Sequence, residues 1–201
     1  GQRCTASSRL IVTEAIHNRF VEALAERVRA LRVGHALHSD TQIGPVVDET
    51  QLAQDLDYIK TAVAQGGNLR AGGDLVRRDT HGFFLHPALV TDTTNQMRIN
   101  REEVFGPVAS VIRVRNFDEA MAVANDTEFG LCAGICTTSL KYATVFKRDS
   151  QAGMTMVNLP TAGVDYHVPF GGRKASSYGP REQGSHAREF FTVGKTAYTR
   201  A

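Results

Sequence analysis

The feature that most constrains this chain is a repeated switch in hydrophobic period. Short β-branched runs give way to segments whose apolar residues return every three or four positions, and then the short runs resume. Ser7 to Val12 reads as a buried strand. Thr13 then caps a helix on which Ile16, Phe20, Leu24, Val28 and Leu31 recur. Asp48 with Gln51 makes a capping-box-like start to a second helix, striped by Leu52, Leu56, Ile59 and Val63 and closed by Gly66-Gly67. Gly66 to Gly82 reads as short strand and turn. Phe83 to Val90 is a strand with Pro87 inside it, which favours an edge or a bulge. Val108 to Val114 is a strand, Asp118 caps a helix to Asn125, and Cys132 to Thr137 is a strand. Ser139 caps a helix to about Arg148, Met154 to Asn158 is a strand, and Phe191 to Arg200 alternates as a long final strand. Strand and helix alternate at βαβ spacing, so the expected class is α/β, a mostly parallel sheet with helices on both faces.

Composition removes several alternatives. In 201 residues, 42% hydrophobic and 22% charged content with 18 Gly and 6 Pro is ordinary globular usage, against disorder, collagen or a small disulfide scaffold. The longest uncharged apolar stretch, Phe129 to Leu140, has twelve residues, short of the ~20 that span a bilayer, so no membrane segment is expected. The net charge is only +2, with a local +4 from Gly171 to Ala201 that reads as a solvated or subunit-facing tail. No aromatic ladder accompanies it, so no nucleic-acid partner is expected. Three cysteines without metal-ligand spacing point to a reducing, cytoplasmic setting, with no disulfide framework and no metal. The opening Gly1-Gln2-Arg3-Cys4-Thr5 lacks an initiator Met and a secretory leader, and loosely fits an N-myristoylation pattern with Cys4 as an acylation site.

Three places concentrate chemistry. Cys4 is either a small buried hydrophobe or a nucleophile, which a thiol becomes where a positive charge or a helix N-terminus lowers its pKa. Cys132 and Cys136, four apart on one strand face, read as core residues. Arg101-Glu102-Glu103-Val104-Phe105-Gly106-Pro107 sets two carboxylates beside an aromatic, able to hold ribose hydroxyls or act as a base, or else simply a solvated loop. Asn158 to Gly172 is a strand end running into a long Gly/Pro loop, where α/β proteins bind ligands.

Four motifs then stand in order: Gly1-Gln2-x-Cys4, Gly44-Pro45 followed by Asp48-Glu49, Glu103-Val104-Phe105-Gly106-Pro107, and Pro169-Phe170-Gly171-Gly172-x-Lys174. In order and approximate spacing this chain resembles the aldehyde dehydrogenase superfamily over essentially its whole length. The resemblance implies that Cys4 is the catalytic nucleophile, with its own backbone N–H among the donors to the oxyanion. It implies NAD or NADP as cofactor, with Glu103 on the nicotinamide ribose, Phe105 beside the cofactor and Gln51 on the adenosine ribose, where the usual downstream Lys is replaced by Gln54.

The loop from Leu159 to His167 resembles that of dehydrogenases for ω-semialdehydes of dicarboxylic acids, most closely 2-oxoglutarate semialdehyde. Pro160 and Tyr166 would then line the aldehyde pocket, with His167 structural. Succinate semialdehyde and a general aldehyde are alternative substrates. The resemblance also implies that the general-base Glu, the oxyanion Asn and the dinucleotide-binding domain lie upstream of Gly1. Residues 1–185 are then expected to form the catalytic domain, and 186–201 an oligomerisation strand of a homodimer or homotetramer. Lys174-Ala175-Ser176-Ser177 stands where many members have Lys-x-Ser-Gly. The rival readings are a thiol hydrolase using Cys4, whose surroundings lack the papain-like signature, and a non-catalytic module of the same fold.

Overall fold

The computed structural model describes all 201 residues and divides into two units, Gly1–Thr127 and Glu128–Ala201. In the first, β1 (Arg9–Thr13) runs directly into α1 (Glu14–Arg29), and α2 (Glu49–Ala64) follows a loop. Then come β2 (Asn68–Ala71), β3 (Ala88–Thr93), the single turn α3 (Arg98–Arg101), β4 (Val108–Val114) and α4 (Phe117–Asn125). The strands form one sheet in the order β1-β4-β3-β2. β4 is parallel to both β1 and β3, and β2 is antiparallel to β3.

The period of two along the strands sends alternate side chains into two cores. Ala88 and Val90 of β3 and Val108 of β4 meet Tyr58, Ile59 and Ala62 of α2, while Leu89 and Val111 point the other way onto Val21 and Ala25 of α1. Helices therefore cover both faces, as expected. The buried line of α1 is His17, Val21 and Ala25, with Phe20, Leu24 and Val28 packed beside it and Ile16 exposed. On α2 the buried line takes in Asp55 with Tyr58, Ile59 and Ala62. A carboxylate thus lies on a face that the apolar stripe alone would not assign to it.

Helix ends mostly follow the sequence signals. Asp48 caps α2 by accepting from the Gln51 N–H at 2.8 Å. Gly66, at φ +102°, closes the helix: its N–H donates to the Val63 carbonyl and that of Gly67 to the Ala62 carbonyl. The cap of α4 is Asn116, whose side chain accepts from the Glu119 N–H, rather than Asp118, which stands in the first turn. β3 begins after Pro87, so the proline is outside the strand, and β3 is paired on both sides and is not an edge. Phe83 and Leu85 instead make isolated bridges to Val46 and Leu75.

The second unit is built on a parallel pair, β5 (Cys132–Ile135) and β6 (Met154–Val157), joined through α5 (Leu140–Asp149). Ser139 caps α5 by accepting from the Tyr142 N–H. Beyond β6 the chain is mostly irregular until α6 (Ala187–Phe191). The long final strand is not formed: Phe191 closes α6, and residues 192–201 are exposed and without regular structure. A strand needs a neighbour to take its N–H and C=O groups, and this segment has none within the chain. Cys132 is half-buried and Cys136, past the end of β5, is exposed, so the expectation that both are core residues is not met. No helix is long and apolar enough to cross a membrane.

Candidate active site

Three of the four motifs meet in the first unit. Cys4 is exposed, in a turn closed by the Ala6 N–H donating to the Arg3 carbonyl at 2.9 Å. The side chain of Gln2 reads the backbone of a loop more than forty residues away: its Nε2 donates to the Pro45 carbonyl at 3.2 Å, and its Oε1 accepts from the Val47 N–H at 3.0 Å. Gly1 lies so close to Gly106 that a Cβ on it would fall 1.7 Å from the Gly106 carbonyl oxygen. The Cys4 loop therefore touches both the Gly44-Pro45 loop and the loop that carries Glu103 and Phe105.

The structure separates the two adjacent carboxylates. Glu102 is tied down, accepting from the Tyr58 hydroxyl at 2.7 Å and from Arg98 Nε at 2.9 Å. Those hydrogen bonds, the Tyr58 one first, hold its carboxyl below the ordinary range. Arg98 also reaches Asp57 at 2.8 Å and lies over the Tyr58 ring, 4.5 Å from its centroid. Glu103 is exposed and has no hydrogen-bond or ion-pair partner within the chain. A carboxylate in that state keeps both oxygens for two donors of a ligand, such as vicinal hydroxyls.

Beyond Glu103 the backbone turns sharply. Val104 is buried, Phe105 takes φ +57° and is 39% exposed as a residue, and Gly106 is buried. A left-handed conformation costs a non-glycine residue about 1–2 kcal/mol, and here it accompanies an aromatic that is presented rather than packed away. α2 holds this turn by two glutamines: Gln51 Nε2 donates to the Val104 carbonyl at 2.8 Å and Gln54 Nε2 to the same oxygen at 3.3 Å. Gln54, standing in the place of a lysine, is thus turned onto the loop.

Gln51 has a second acceptor, Oδ1 of Asp55, at 2.8 Å. Asp55 is fully buried and its Oδ2 has no partner. Burial raises its pKa, and the Gln51 hydrogen bond opposes that rise only in part. Sequence reasoning passed over Asp55. The available signal was its position four residues after Gln51 and four before Ile59, on the inward face of α2.

Pro160 and Tyr166 belong to the second unit, and both are exposed. The loop carrying them is pinned at its start by Asn158, whose amide pairs with both the N–H and the carbonyl of Thr137 at 2.8 Å. The Tyr166 ring meets the exposed His167 edge-on at 5.5 Å. Farther on, the Ser176 and Ser177 hydroxyls accept from the N–H groups of Gly130 and Gly172. The unusual Lys-Ala-Ser-Ser run therefore builds its turn from two hydroxyls.

The aldehyde dehydrogenase family profile matches residues 1–197. The chain belongs to the aldehyde dehydrogenase family. Among curated relatives it is 39% identical over 202 residues to alpha-ketoglutaric semialdehyde dehydrogenase of Bacillus subtilis, and 44% identical over 201 residues to alpha-ketoglutarate semialdehyde dehydrogenase of Haloferax volcanii. Those alignments take in 100% and 98% of this chain but 41% of each relative, so this aldehyde dehydrogenase chain spans about two-fifths of their length. Among solved structures, betaine aldehyde dehydrogenase of Staphylococcus aureus in complex with NAD+ superimposes with a TM-score of 0.91 at 31% identity. It covers 96% of this chain, which spans 38% of that one. HpcC of Thermus thermophilus gives the same TM-score and coverages at 37% identity.

Proposed function

We propose that this chain is the catalytic-domain portion of an NAD(P)-dependent enzyme that oxidises a semialdehyde, with 2-oxoglutarate semialdehyde as substrate. The observation that carries the reading is the docking of the exposed Cys4 turn, through Gln2 and Gly1, onto loops that leave Glu103 free and present Phe105. The names of the relatives in Bacillus and Haloferax support the substrate.

The residues present fit a dinucleotide. The unpartnered Glu103 carboxylate would accept from ribose hydroxyls, Phe105 would offer an aromatic surface to the cofactor, and Gln51 keeps Oε1 as an acceptor because both partners of its Nε2 are themselves acceptors. The Cys4 thiolate adds to the aldehyde carbon: the S–C bond forms, and the carbonyl π electrons move to oxygen, where the Cys4 N–H is one of the donors. A bound nicotinamide cofactor would supply the hydride acceptor that converts this adduct to a thioester on Cys4. Water then cleaves the thioester, releasing the carboxylic acid and restoring the thiol. Pro160 and Tyr166 line the aldehyde pocket. In the whole enzyme the exposed tail with Val193 and Tyr198 pairs with a second copy, giving a homodimer or homotetramer.

The test uses the complete polypeptide that carries this chain. Incubated with 2-oxoglutarate semialdehyde and NAD+ or NADP+, it should reduce the cofactor, and Cys4→Ala should abolish turnover. Turnover that survives Cys4→Ala refutes the nucleophile. A higher kcat/KM for succinate semialdehyde or betaine aldehyde refutes the substrate while leaving the chemistry in place.

A further inference from the structure

The buried Asp55 carboxylate has no part in the chemistry above, yet it lies where α2 meets the Glu103–Pro107 loop. One of its oxygens accepts from Gln51 at 2.8 Å, and the other has no partner although the residue is wholly buried. The Cα of Gly106 lies directly against it, so that a Cβ there would fall 2.0 Å from Oδ1. An acid in such a place is unfavourable for folding taken alone, because an unpaired buried carboxylate oxygen forfeits its hydration. What it provides is orientation. A carboxamide has a donor end and an acceptor end of nearly equal size, and only its neighbours decide which end faces which way. Gln51 Nε2 meets two acceptors, Asp55 Oδ1 and the Val104 carbonyl. Both amide hydrogens are consumed, and Oε1 of the half-buried Gln51 is left without a donor from the chain.

We propose that Asp55 is a positioning residue for the cofactor: it fixes the Gln51 amide with its nitrogen turned inward and its oxygen presented to a ribose hydroxyl, and through that amide it braces the Val104 carbonyl between Glu103 and Phe105. The inference rests on the reading of Gln51 as a ribose contact. Asp55 itself touches neither substrate nor cofactor.

The experiment is a double-mutant cycle on the complete enzyme, read as KM for NAD+ and kcat separately. Gln51→Ala and Asp55→Ala should each raise the cofactor KM about threefold to tenfold, the range of one hydrogen bond, with kcat within about twofold of the unaltered enzyme. Asp55→Asn keeps an acceptor for Gln51 and should restore KM to near its original value. The Gln51→Ala/Asp55→Ala double variant should be no worse than Gln51→Ala, since the second residue acts through the first. Should Asp55→Ala not fold, Gln51→Glu answers the same question: it opposes acceptor to acceptor and raises KM, and Asp55→Asn added to it lowers KM again by supplying a donor. A raised KM in Gln51→Ala with an unchanged KM in Asp55→Ala, or independent multiplication of the two effects, overturns the role of Asp55 and leaves that of Gln51 standing. An unchanged KM in Gln51→Ala overturns both roles. An unaltered enzyme that oxidises no aldehyde with NAD+ or NADP+ overturns the proposed function itself.

Discussion

Gly106→Ala is the sharpest single perturbation of the site, because one methyl group reports on the whole junction. Gly106 has no left-handed φ, so alanine is allowed by its backbone. Fixing such a glycine as alanine ordinarily stabilises a protein by about 0.4–1 kcal/mol through the unfolded chain. Here the added Cβ would fall 2.0 Å from Asp55 Oδ1 and 2.2 Å from both Cγ and Oδ2. Ordinary carbon contacts begin near ~3.5 Å, so α2 or the Glu103–Pro107 loop must retreat by more than about 1 Å. Overpacking of this kind costs about 1–3 kcal/mol, occasionally more, and three simultaneous overlaps with a carboxylate in a closed core place this case at about 3 kcal/mol. In a protein of this size that lowers Tm by roughly 6–12 °C. The decisive arm is Gly106→Ala combined with Asp55→Ala, which removes all three overlapping atoms. Denaturant titration of the four proteins should give a coupling of about 2 kcal/mol or more in favour of the double variant. Strict additivity, or a Gly106→Ala variant within about 0.5 kcal/mol of the original, would refute the packing argument.

Glu102→Gln and Glu103→Gln should separate cleanly. The first loosens the link to Arg98 and Tyr58, and because the Arg98 and Glu102 side chains are 40% and 49% exposed its cost is held to about 1 kcal/mol by solvent screening. The second should leave the melting curve within about 0.5 kcal/mol while raising the cofactor KM of the complete enzyme; equal effects of the two on KM would contradict the division between them. On pH, the Asp55 carboxyl has a raised pKa when folded, so the unfolded chain loses that proton first and stability falls as pH rises from the ordinary carboxylate range through the folded value. Asp55→Asn should flatten that decline in melting temperature, and an unchanged profile would show that burial exerts no such effect. Glu102 acts in the opposite sense, its contribution being present above the ordinary range and lost as pH drops through its lowered value. Timed alkylation followed by mass spectrometry should modify exposed Cys4 and Cys136 before half-buried Cys132; early modification of Cys132 would argue against the β5–β6 packing.

The fold was legible where the information is local. Asp48 and Ser139 are helix caps because each offers an oxygen to an N–H three residues on, and that relation is written in the spacing. Asn116 was missed in favour of Asp118 because two good capping residues lie two apart, and only the direction of the incoming chain selects between them. Pro87 was expected inside a strand at an edge or bulge, whereas β3 starts one residue later and goes on to pair on both sides. The final strand is absent from the single chain for a different reason. Alternation from Phe191 to Arg200 specifies a face, and a strand also requires a partner, which a periodicity cannot supply.

Of the candidate site, the sequence shows the separate motifs and not their arrangement, for reasons of distance along the chain. Residue type alone does not tell Glu102 from Glu103, and only the motif singles out Glu103. Tyr58, more than forty residues away, and Arg98 decide that one is bound and the other free. Gly106 is visible as part of a motif, but the reason for a glycine there is Asp55, on the inward face of α2. The physical logic is common to both cases. A group proposed to meet a ligand, such as Glu103, cannot also be satisfied by the protein, so the structure fixes everything around it instead. Glu102 takes up Arg98 and Tyr58, Val104 is anchored in the core and by two glutamines, and the left-handed Phe105 follows from the anchors on either side of it. Unsatisfied Glu103 and presented Phe105 are therefore products of the satisfied residues next to them, and the motifs mark Glu103 and Phe105 while leaving Asp55, Tyr58 and Arg98, which hold their surroundings, unmarked.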